Sequence, residues 1–158
     1  MTIARFSAYT LRLLTVALLF TALTTSCNKD DNNPTPTTDS QTALLVANNW
    51  QVSNVTTTDG QTINQSRLNL ATSVLFSLSM QFRNDNTVRA LDPKQSNQVI
   101  NQGTWKLAGD SQSMDVVVTG FNGNFPIMQL NRSTLILRQQ APVDGKTTPI
   151  NLEFKPVL

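Results

Sequence analysis

The chain contains no histidine, so the commonest general base, the usual partner of a serine or cysteine nucleophile and the main transition-metal ligand are all missing. Acid–base work would fall to carboxylates. Asp59, Asp85, Asp92, Asp110 and Asp144 stand in turn or loop segments, where a short carboxylate hydrogen-bonds nearby backbone and so favours turns. Asp115 and Glu153 fall at outward positions of alternating segments, the usual place for solvated charge. Two carboxylates about 5 to 10 Å apart would suit glycoside hydrolysis, but nothing in the sequence brings these two together. No glycine-rich phosphate loop, nucleophile elbow or calcium loop is present. The expectation is a non-catalytic chain with no cofactor and no metal.

Aromatic faces bind sugars and apolar ligands well, which makes the tryptophans and two phenylalanines the next candidates. Trp50 and Trp105 each have an apolar residue two places on, Val52 and Leu107, and are expected to pack in a core. Phe121 and Phe125 flank the turn-like Gly120 to Asn124 and are the candidate contacts for a ligand or partner.

Cys27 is the single cysteine. It follows Arg5, Arg12 and the apolar run Leu13 to Leu23, the layout of an export signal. That run is too short for the roughly 20 apolar residues of a membrane-crossing helix. The block resembles the lipobox of bacterial lipoproteins, usually Leu, Ala or Ser, Gly or Ala, then Cys. Here Thr24, Thr25 and Ser26 hold the positions before Cys27, with Leu23 one place further back. Lys29-Asp30-Asp31 is similar to the lysine-plus-acidic tag that sends some Gram-negative lipoproteins to the cell surface. The resemblance implies a signal peptide at 1–26, acylation of Cys27 and an outer-membrane lipid anchor, on the cell surface or, alternatively, the periplasmic face.

Of the 12 basic residues, Arg5 and Arg12 lie in the leader, leaving ten against 10 acidic ones. The remaining Lys and Arg are scattered singly, and nucleic acid is not an expected partner. Residues 27–41, with Pro34, Pro36 and no large apolar side chain, read as a tether. Residues 42–158 are expected to form one domain, without a disulfide because no second cysteine exists.

The elements that must position these residues are mostly strands. Asp39 or Ser40 could cap a short helix through Ala43, Leu44, Val46 and Ala47. Period-two alternation then marks strands at Trp50 to Thr57, Ser79 to Arg83, Thr87 to Leu91, Gly103 to Leu107, Ser113 to Thr119, Phe125 to Leu130, Thr134 to Gln139 and Pro149 to Pro156. Gln61 to Leu78 reads as irregular or helical. Asn84-Asp85-Asn86 is the clearest hairpin turn, and 141–148 reads as a loop. Met114, Val116, Val118, Leu135, Leu137, Ile150, Leu152 and Phe154 are expected to point inward. The expected fold is all-β, an antiparallel up-and-down meander of about eight strands closing into a small barrel, with a β-sandwich as the alternative.

Trp50-Gln51-Val52, then Phe82 leading into Asn84-Asp85-Asn86, then Gly103-Thr104-Trp105 resembles the lipocalin-like domains of bacterial surface lipoproteins. That resemblance covers about 100 residues. It implies a lipocalin-like barrel that binds a small hydrophobic ligand or a glycan, or alternatively an accessory lipoprotein docked on an outer-membrane protein complex.

Overall fold

The computed structural model describes residues 38–157; the leader, Cys27 and most of the tether lie outside the described residues. Eight antiparallel strands follow one another around a closed barrel in chain order. They are β1 Asn49–Thr57, β2 Ser79–Phe82, β3 Thr87–Asp92, β4 Gln98–Leu107, β5 Ser113–Val118, β6 Phe121–Leu130, β7 Leu135–Val143 and β8 Lys146–Val157. The sandwich is not adopted, because β1 pairs with β8 from Asn49↔Val157 to Thr57↔Ile150 and leaves no free edge. A bulge between Val52 and Asn54 shifts that register and bends β1, which also pairs with β2 through Asn49, Trp50 and Gln51.

Alternation decides what goes inside. Met114, Val116 and Val118 of β5, Leu135 and Leu137 of β7, and Ile150, Leu152 and Phe154 of β8 are all buried, as their spacing predicts. Trp50 and Trp105 join them as core residues. Trp105 also holds the β2–β3 hairpin: its indole N–H donates to the Arg83 carbonyl at 3.1 Å, and its backbone N–H to the Asn86 carbonyl at 2.9 Å. Its ring meets Phe82 edge-on at 5.4 Å and 76°. In the turn, Asn86 takes the left-handed conformation, φ 61°, which asparagine tolerates better than most residues.

Three segments differ from the sequence reading. Gly120 to Asn124 is not a loop: only Thr119 and Gly120 make the turn, and Phe121 to Asn124 pair with Val118 to Asp115. Likewise the 141–148 loop shrinks to Asp144-Gly145, at φ 50° and 78°, the paired positive angles of a tight hairpin turn. β4 begins at Gln98, five residues before the expected Gly103, because Val99 to Gln102 extend its ladder with β3.

Both ends of the barrel are covered. Helix α1, Thr38–Val46, takes in the last residues of the segment read as tether and closes the end where β1 begins. Leu45, rather than Leu44, is its fully buried residue, and the Leu45 carbonyl accepts the Trp50 indole N–H at 2.9 Å. At the other end the β1–β2 connection crosses the mouth. It contains a 3-10 turn Gln65–Arg67, the one-turn helix α2 Leu70–Ser73 and a second 3-10 turn Val74–Phe76. Asn69 separates the first two by accepting the Thr72 N–H on its side chain, so the segment read as irregular or helical forms short turns. Ile63, Leu68 and Leu75 of this lid drop into the core.

Candidate binding site

The barrel interior is filled by its own side chains, as an eight-stranded barrel permits. Usable space lies at the mouth, under and beside the lid. One cleft of about 270 Å³ has Met80, Ala90 and Val118 as its floor and Val74, Ile100 and Leu75 as its walls. The floor residues are buried, whereas Val74 and Ile100 are 42% and 49% exposed. Leu70, one helical turn before Val74, is 85% exposed. These are large apolar groups held at the surface around an apolar opening.

A second cleft of about 190 Å³ flanks the other side of the lid and carries Asn69, Thr72, Asn122, Gln139 and Gln140. The two share Ala71, Leu75, Gly120 and Phe121 as common lining. The polar one occupies a split in the barrel wall. β6 and β7 pair only between Ile127↔Leu137 and Leu130↔Leu135, with a register break between Ile127 and Gln129. Towards the mouth β6 stays with β5 and β7 with β8, so no β6–β7 ladder joins Phe121 to Pro126 with Arg138 to Val143. Phe121 and Phe125 stack at 4.6 Å and 22° on the β6 side of this opening.

Phe121 is therefore brought to the candidate site as expected of a contact residue. Phe125 also lines the cleft in the split, but as a buried core residue rather than an exposed one, because the strand begins at Phe121 and the alternation turns Phe125 inward beneath it. The residues the sequence reading missed are Val74, Met80, Ile100 and Gln139. Gln139 had a signal, since it interrupts the inward row Leu135, Leu137, Ala141, Val143 with an amide.

The carboxylates do local work. Asp92 accepts from the Lys94 N–H, Asp110 from the Gln112 N–H, and Asp144 pairs with Arg67 at 2.8 Å, pinning the lid beside the β7–β8 turn. That hydrogen bond and charge raise the Arg67 pKa above its usual value. Asp85 accepts the Thr87 hydroxyl and N–H, and these bonds hold its carboxyl below the usual range. A depressed carboxylate adds stability above its unfolded pKa and loses it as pH falls through the folded one. Asp115 accepts from Asn124 at 2.8 Å, and Glu153 from the Thr56 hydroxyl at 3.0 Å, both on the outer face. Among the described residues, no three metal-ligating side chains come together.

Two larger depressions, of about 680 and 620 Å³, lie beside α1 at the far end. Both border α1, and one also borders the end of β8.

No family model matches the chain, and no curated protein matches it. Solved structures similar in fold include a lipocalin-like protein from Bacteroides uniformis, with TM-score 0.47 and 14% identity over 71% of this chain and 98% of that one. Another is a DUF4847 family protein from Bacteroides vulgatus, with TM-score 0.46 and 15% identity over 71% and 94%. The closed eight-stranded antiparallel barrel with its short helix is lipocalin-like in architecture on its own topology.

Proposed function

We propose that this chain is an outer-membrane lipoprotein, anchored through acylated Cys27 and displayed on the cell surface, whose barrel binds a small ligand at its mouth without catalysing a reaction. The observation that carries the binding part is the apolar cleft under the lid, floored by buried Met80, Ala90 and Val118 and opened to solvent by Val74 and Ile100. Its size approaches the roughly 300 Å³ at which ligand pockets begin. A non-catalytic role is supported by Asp85, Asp92, Asp110, Asp115, Asp144 and Glu153, whose hydrogen bonds serve turns, lid and outer wall rather than the cleft.

The test is a neutral apolar fluorophore, N-phenyl-1-naphthylamine, titrated into the chain from Cys27 onward, which retains every core residue identified above. Saturable binding is expected, and Val74→Asp is expected to weaken it at least tenfold with little change in melting temperature, since Val74 is half-exposed. Binding unaffected by Val74→Asp and by Ile100→Asp would contradict the assignment.

The filled interior supports a second reading, in which the exposed Leu70, Val74 and Ile100 dock on an outer-membrane protein. A stable partner protein lost on Leu70→Asp in membrane pull-downs would favour it over ligand carriage.

A further inference from the structure

The two clefts at the mouth differ in chemistry but share a wall. On one side of Leu75 and Phe121 the lining is aliphatic and thioether, with Met80, Val74 and Ile100. On the other it is amide and hydroxyl, with Gln139, Gln140, Asn122 and Thr72. No Asp, Glu, Lys or Arg lines either. The nearby lid charge, Arg67, is already taken up by Asp144 at 2.8 Å.

Gln139 sharpens the pattern. It sits in register with Ile150 on the inward row of β7, at the level where the ladder to β6 has ended. An inward amide beside a gap in the wall offers a donor and an acceptor to whatever enters from the side. A charged group entering there would lose its hydration with no counter-charge to meet it. An uncharged hydroxyl or amide group would exchange water for the Gln and Asn side chains, with Phe121 as an aromatic face beside it.

Building on the proposed mouth site, we infer that its ligand is an uncharged amphiphile: the apolar chain lies between the lid and Met80, and a hydroxyl- or amide-bearing head occupies the split between β6 and β7, facing Gln139. The wall opening is what makes the second half of the site available, since a fully paired β6–β7 ladder would close it.

The experiment is displacement of the bound fluorophore by 1-octanol, octyl glucoside, octyl sulfate and octylammonium, all below their micelle concentrations. Octyl glucoside is expected to displace at concentrations at least tenfold lower than either charged amphiphile. Gln139→Leu is expected to reduce the preference for octyl glucoside over the charged amphiphiles at least fivefold, with the affinity of the apolar fluorophore itself unchanged, since Gln139 does not line the apolar cleft. Equal displacement by the charged amphiphiles, or an unchanged preference in Gln139→Leu, would overturn the inference while leaving the mouth site standing. Absence of fluorophore binding would instead overturn both. Should Gln139→Leu fail to fold, Gln139→Glu gives the same test, because a carboxylate there should reverse the order in favour of octylammonium.

Discussion

Gly103→Ala is expected to cost about 3 kcal/mol or more, a fall in melting temperature on the order of 10 °C, read by urea and thermal unfolding. A Cβ at this position would stand 1.8 Å from the Val117 carbonyl oxygen, 2.8 Å from its carbon and 2.9 Å from a Val118 methyl. Those first two atoms are backbone of the paired strand β5, so no rotamer change relieves the contact. Either the β4–β5 ladder opens at Gly103↔Val118 or the strand shifts, and Trp105, two residues on, moves with it. Gly109→Ala is the control: open space surrounds that position, and the barrel should melt within a degree or two of the parent. A Gly103→Ala barrel as stable as the Gly109→Ala one would show that β4 and β5 do not approach this closely.

Cys27→Ser is expected to move the exported protein from the membrane fraction to the soluble fraction almost completely. Each buried acyl CH₂ contributes about 0.8 kcal/mol. One chain therefore binds marginally, and the two or three of a bacterial lipoprotein hold essentially permanently. Fractionation with labelled palmitate reads the result directly. The barrel itself should melt unchanged, because the core residues identified above begin at Leu45. Serine-variant protein that stays on membranes after export would show that something other than acylation holds it. Among the described residues, no helix is long and apolar enough to cross a bilayer.

How much of this was legible in the sequence depends on the range of the contacts involved. The inward rows of β5 and β8 were readable because alternation is local and both strands keep a regular register with their neighbours. Gly120 to Asn124 misled because two glycines and two asparagines look like a loop, yet Gly123, at φ 147°, sits within a ladder opposite Val116. Pro142 and Gly145 read as a loop at the 141–148 segment, but Pro142 faces Thr147 in a continuous β7–β8 ladder. The lid was half readable: Gln61 to Leu78 read as irregular or helical, and it is a series of short turns, but nothing local marked that Leu68 and Leu75 enter the core from separate turns. The split between β6 and β7 was invisible, because it follows from a register break between Ile127 and Gln129 that no local pattern encodes. Without the split, Gln139 is simply a polar residue in a strand.

The central claim is that the barrel is full and that its ligand site lies under the lid. Its most direct test is an amide-resolved NMR titration with octyl glucoside. Shift changes are expected at Ala71 to Met80, Ile100 and Asn101, Val118 to Asn122 and Gln139 to Ala141, with Leu45, Trp50 and Trp105 unmoved. Shifts centred on α1 and the β2–β3 hairpin, or on the core around Trp105, would contradict it.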